Sequence, residues 1–213
     1  VKKLFQRLTG RVPETGDGAG ANDSGFFSTG FDDAGGDNAA RVGWSTRAAQ
    51  VGARAYDRGR GVELFGQIWS DDRHLSHLDD AALERIGSYL EFAQIDANQE
   101  VIGQNEQGDY LLVVLEGTLA VDRVQPWGGR ARLAEAHAGD MLGEMSLLDA
   151  GARFSACTTL TPTIVAVLDA QRLDRMIAEE PRLATALLAS LSRRLSLRLR
   201  QVSARLSALL SRS

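Results

Sequence analysis

A chain of 213 residues is long enough for one domain with extensions, or at most two small domains. Apolar residues make up 44% and charged residues 24%, which supports a packed core and excludes a wholly disordered chain. The net charge of −4 supplies no general attraction to nucleic acid or to an anionic membrane. Cys157 is the only cysteine, which excludes an intrachain disulfide and a cysteine-based metal cluster. No apolar run reaches the length of a membrane span and the first residues do not make a signal peptide, so a cytoplasmic chain is expected.

Residues 1–8 form a short basic, amphipathic stub. From Gly10 to Gly43 the chain is rich in Gly, Asp, Asn and Ser, too poor in aliphatic residues to offset its ordering entropy. The expectation over residues 1–43 is therefore a disordered arm and linker, with Phe26, Phe27 and Phe31 its only large apolar residues after the stub. Trp44 to Trp69 shows partial helical spacing through Val62, Leu64, Phe65, Ile68 and Trp69. Leu78 to Ile86 reads as a helix capped by Asp79 or Asp80 and running to near Phe92.

The period then changes to two. Val101–Gly103, Tyr110–Leu115, Thr118–Val124, Ala131–Ala136, Ser155–Leu160 and Thr163–Leu168 read as strands. Pro126-Trp127-Gly128-Gly129 fits a hairpin loop, where glycines take positive φ. Many short strands divided by glycine turns predict a mainly β fold with flanking helices, a jelly roll or small barrel. Helical pattern returns over Arg172–Glu179, breaks at Pro181, and resumes from Arg182 as one long helix. In it Leu188, Leu191, Leu195, Leu199, Val202, Leu206 and Leu209 recur every three or four residues, at a mean of 3.5. That is the period of a coiled-coil seam, and a parallel homodimer through this helix is expected.

The densest cluster of chemistry-bearing residues lies in Gly143-Glu144-Met145-Ser146-Leu147-Leu148-Asp149-Ala150-Gly151-Ala152-Arg153-Phe154-Ser155. Gly143 lets backbone approach a ligand, and a short turn after it presents unpaired N–H groups of Met145 and Ser146. Arg153 follows Glu144 by nine residues and offers a fork for phosphate oxygens. A glutamate beside an anion needs a donor of its own, which a sugar hydroxyl supplies. This stretch resembles the phosphate-binding cassette of cyclic nucleotide-binding domains, the family of the catabolite activators and of protein kinase regulatory subunits. Gly108–Val121 resembles the family's glycine-spaced strand pair, and Ala138–Glu144 its turn into the cassette.

The resemblance implies a ligand site made by Gly143, Glu144, Met145, Ser146, Arg153 and Ser155. Glu144 would take the ribose hydroxyl, Arg153 the cyclic phosphate, and Ser155 a further phosphate contact. Cyclic AMP is the first-choice ligand, with cyclic GMP and cyclic di-GMP as alternatives, and no metal. The match departs from the family at Phe154, where a small residue usually stands. Two registers follow: ungapped, with Arg153 as the phosphate ligand, or one residue longer, with Ser155-Ala156 in place and Phe154 at the arginine position. The ungapped register keeps the spacing of the kinase subunits and is preferred. Base recognition falls to strands and the final helix, where Ser190, Ser192, Ser196, Arg193 and Arg194 are candidates.

His74, His77 and His137 do not make a strand-borne metal cluster, and no nucleophile elbow, P-loop or zinc-protease pattern appears, so no enzyme is expected. From Pro181 onward there are seven arginines and no Asp or Glu. Family members that bind DNA continue into a helix-turn-helix module where this sequence stops, so direct base reading is not expected. The organisation expected is an arm over 1–43, a cyclic nucleotide-binding-like domain over 44–180, and a dimerising switch helix over 181–213. It signals through an unidentified protein partner. The rival is a ligand-independent scaffold with the same fold.

Overall fold

The computed structural model describes residues 26–33, 41–69, 72, 75 and 78–211. Two antiparallel sheets form the centre. One has the order β1 (Arg54–Ala55), β2 (Glu91–Ile95), β9 (Thr163–Asp169), β4 (Tyr110–Glu116), β7 (Met141–Leu142). The other runs β3 (Glu100–Ile102), β8 (Ala156–Thr159), β5 (Leu119–Val124), β6 (Arg130–Ala136).

The sequence of β4 explains the layering. Tyr-Leu-Leu-Val-Val-Leu is apolar without alternation because both faces are covered. Tyr110, Leu112 and Val114 enter the core between the sheets with Val101, Ile102, Leu119, Cys157, Val165 and Val167. Leu111, Val113 and Leu115 point the other way and meet the helices, together with Ile164, Ala166 and Leu168 of β9. Phe65 and Trp69 of α3 (Arg58–Trp69) fill that outer layer, stacked with ring centroids 4.8 Å apart. Each such buried side chain contributes about 1.5–3 kcal/mol.

Asp79 caps α4 (Asp80–Gly87) by accepting from the Ala82 amide at 2.8 Å, as the sequence predicts. The helix stops at Gly87 rather than near Phe92. Phe92 lies in β2, which pairs along five residues with β9, and this long-range pairing overrides local helical spacing. The two short strands β1 and β7 also have no periodicity of their own.

Two differences concern the helices at either end. Within the expected disordered arm, Phe26–Asp33 forms a helix, α1. Phe31 is 4% exposed and packs in the outer core, and the Asp174 carboxylate accepts from the Phe27 and Ser28 amides at 2.8 and 2.7 Å. The physical reason is a remote acid capping orphan N–H groups while an aromatic is buried. The rest of residues 1–40 lies outside the described residues. After α2 (Trp44–Gln50), α5 (Glu144–Asp149) and α6 (Ala170–Glu179), the final helix α7 spans Pro181–Leu210. Pro181 sits in its first turn, where no amide is needed. Leu183, Ala184, Leu187 and Leu191 are buried, whereas Leu199, Val202, Leu206, Leu209 and Leu210 are exposed. No helix among the described residues is long and apolar enough to cross a membrane.

Candidate functional site

The site begins where β7 ends. Leu112 and Val113 of β4 pair with Leu142 and Met141, which carries the chain to Gly143. Gly143 has φ of 82° and turns the backbone into α5, a left-handed conformation that favours glycine. A side chain there would also collide with Arg153 Nη1. The loop after α5 is pinned at Arg153 on both sides: its amide donates to Glu106 O and its carbonyl accepts from Asn105 N, each at 2.8 Å.

Arg153 is 3% exposed. Its Nη1 donates to Gly143 O at 2.7 Å and its Nη2 to Tyr110 O at 2.6 Å, with the guanidinium 4.6 Å from the Tyr110 ring centroid. Gly108 makes room for it, since a Cβ there would lie 2.7 Å from Nε. Burial pulls this guanidinium below its ordinary value, opposed by nearby Tyr110, Cys157, Asp109 and Glu144. An arginine remains charged at neutral pH even so. Both hydrogen-bond acceptors are neutral carbonyls, so neither neutralises this desolvated cation, which borders an open space.

That space is a cavity of about 480 Å³ between β5, β6, the α5 loop and α7. Gly143, Glu144, Met145, Ser146, Arg153 and Ser155 all line it, so the six residues predicted from the sequence converge on one volume. Glu144 and Ser146 are each 3% exposed, Met145 is half exposed, and Ser155 is half-buried. Phe154 stands at the rim, 54% exposed, with Arg123 stacked 3.9 Å above its ring and bonded to its carbonyl oxygen. Of the two residues between which the registers choose, Arg153 is the buried one and Phe154 stands outside. Cys157 lies on the floor, and burial pushes its thiol up to about 12.

The final helix contributes residues other than those expected. Arg198, Gln201, Val202 and Arg205 line the cavity. Ser190 is buried and donates to Asp72 at 2.7 Å, Ser192 donates to Leu188 O, and Arg194 donates to Gly139 O beneath Trp69. Ser196 and Arg193 are not among the cavity's lining residues. The signal was present: 194, 198, 201 and 205 follow helical spacing, one face of α7. Arg198 Nη1 donates to Glu144 Oε1 at 2.7 Å, an ion pair that no local pattern announces. Among the described residues no group of three His, Cys, Asp or Glu side chains is placed to hold a metal ion. His74 and His77 lie outside them, and His137 Nδ1 is 3.4 Å from Thr118 Oγ1.

A mainly antiparallel β core with a cassette loop, leading helices and a closing terminal helix defines a cyclic nucleotide-binding fold. Residues 92–180 match the model of the cyclic nucleotide-binding domain. It is 30% identical over 118 residues to a CRP-like cAMP-activated global transcriptional regulator of Mycobacterium tuberculosis, covering 55% of this chain and 53% of the relative. The chain thus matches about half the length of that relative. A cyclic nucleotide-binding domain from Methylobacillus flagellatus superposes with a TM-score of 0.67 at 25% identity, over 72% of this chain and 86% of that one. The catabolite activator protein of Thermus thermophilus superposes at 0.55 and 26% identity, over 64% and 62%.

Proposed function

We propose that the chain is a regulatory sensor that binds a cyclic nucleotide, cyclic AMP first, in the cavity between the cassette and α7. One observation carries this reading: Arg153 is a nearly buried cation whose hydrogen-bond acceptors are neutral carbonyls, in the wall of a cavity of about 480 Å³. An anionic phosphate there gains a charge-assisted, forked contact in a water-poor setting. Glu144 takes the ribose hydroxyls, Met145 and Ser146 frame the phosphate from the first turn of α5, and Ser155 adds a hydroxyl. Gln201 and Arg205 of α7 face the base.

The signal leaves through α7, whose distal half forms a parallel homodimer. Leu199, Val202, Leu206 and Leu209 form the exposed seam. Arg198 and Arg205 flank it on one side and Ser196 and Ser203 on the other. In a parallel pair the arginine flank of one helix meets the serine flank of its mate, whereas an antiparallel pair sets arginine against arginine. The dimer then engages a further protein partner.

Titration calorimetry with cyclic AMP, cyclic GMP and cyclic di-GMP tests the reading. Heat with cyclic AMP, and an affinity weakened in Arg153→Ala, is the expected result; silence with all three overturns it. The second reading, a ligand-independent scaffold, is favoured by one observation, the occupation of Glu144 by Arg198.

A further inference from the structure

The carboxylate assigned to the sugar is already engaged. Glu144 is 3% exposed and its Oε1 accepts from Arg198 at 2.7 Å, while Arg198 Nη2 reaches Met141 O at 3.4 Å. One turn earlier α7 is fastened independently of this pair. Arg194 donates to Gly139 O at 2.7 Å, lies 4.6 Å from the Trp69 ring centroid, and sits 3.7 Å from the buried Asp72 carboxylate that Ser190 also bonds. Arg198 therefore hangs from an anchored helix directly over Glu144.

A neutral hydroxyl is a poor substitute for this cation. The Glu144 side chain is 4% exposed and that of Arg198 51%, so withdrawing Arg198 leaves a buried carboxylate uncompensated while the arginine passes into water. A ligand that brings only hydroxyls exchanges a charge-assisted bond at the buried Glu144 carboxylate for a neutral one and returns nothing to Arg198. One that brings only phosphate leaves Glu144 without a donor. A cyclic nucleotide supplies both together: its hydroxyl satisfies Glu144 and its phosphate receives Arg198 alongside Arg153.

We propose that Arg198 is a specificity-determining residue, a latch on Glu144 that opens only to a ligand carrying a sugar hydroxyl and a phosphate in one molecule. The inference rests on the cyclic nucleotide reading and names what that site rejects: nucleosides and free phosphate. In the ligand-free chain the latch holds α7 across the cavity mouth through Glu144, and the ligand transfers that hold to its phosphate.

The test compares adenosine, inorganic phosphate and cyclic AMP by calorimetry on the wild-type chain and on Arg198→Ala and Arg198→Gln, with amide hydrogen exchange on each ligand-free protein. The latch predicts that both variants bind adenosine at least tenfold more tightly while cyclic AMP gains less, so the preference for cyclic AMP collapses. It also predicts faster exchange over residues 197–210 in both variants and in Glu144→Gln. An unchanged preference overturns the selectivity, and unchanged exchange overturns the latch. If no nucleotide binds the wild type, the functional reading fails, and the exchange experiment still decides the latch alone.

Discussion

Replacing Arg153 with alanine removes one side chain that the structure uses twice. Within the fold, its guanidinium satisfies two carbonyls, Gly143 O and Tyr110 O, from a position 3% exposed. A hydrogen bond from a charged donor contributes about 1.5–3 kcal/mol, so two at the low end total about 3 kcal/mol. For a chain of this size each kcal/mol shifts Tm by about 2–4 °C, giving an expected loss of about 6–12 °C. Toward the ligand, stripping the phosphate of its buried partner costs about 2–5 kcal/mol, at least a thirtyfold loss of affinity. Arg153→Lys separates the two roles. It restores the charge without the fork, so it should recover part of the affinity and little of the stability. Scanning fluorimetry reads the first quantity and calorimetry the second. An Arg153→Ala protein melting within about 2 °C of wild type would refute the buttressing argument, because the two carbonyls would then not need their donor.

Cys157 provides a pH test. Its thiol, pushed up to about 12 by burial, keeps its proton in the folded chain where the unfolded chain ionises near the ordinary value of 9.0. The stability it contributes is complete below pH 9 and is lost as pH rises toward 12, by up to about 1.4 kcal/mol per pH unit. Urea midpoints at pH 8 and pH 10 should fall less in Cys157→Ala than in wild type; equal falls refute the assignment. At the other end of the molecule, Asp174→Ala deprives two α1 amides of their acceptor. Amide exchange over residues 26–33 should quicken while the β4 and β9 amides stay protected, since α1 opens as a local unit.

Strand pairs and the cassette were legible because their signals are local. Continuous apolar runs at β4 and β9, glycines at turns, and the ordered glycine, glutamate and arginine all lie within short windows. What escaped depends on contacts distant in sequence. The arm's average composition hides α1, whose cap Asp174 lies 147 residues beyond Phe27. The face of α7 that meets the cavity is set by Asp72, Trp69 and Gly139 gripping Ser190 and Arg194. Without that phase the serines were as plausible as Arg198 and Gln201. Phe154 is the converse case: the loop's departure from the family pattern stands at the rim, where Arg123 stacks on it.

In the proposed reading the same phase ties ligand exchange to assembly. Val202 lines the cavity and also belongs to the exposed seam of Leu199, Leu206 and Leu209. Successive helix residues are about 100° apart, so α7 cannot rotate to release Arg198 without turning that seam as well. Linkage then requires reciprocity: whatever factor the ligand applies to the dimer constant, dimerisation applies to ligand affinity. Leu206→Glu places an acid at the seam without touching Glu144, Arg153 or Arg198, and should yield a monomer by light scattering. Ligand affinity in that monomer should differ from wild type severalfold, and wild-type affinity should itself drift with protein concentration across the dimer constant. Identical affinity in monomer and dimer would separate the two faces of α7 and remove the helix as the route of the signal.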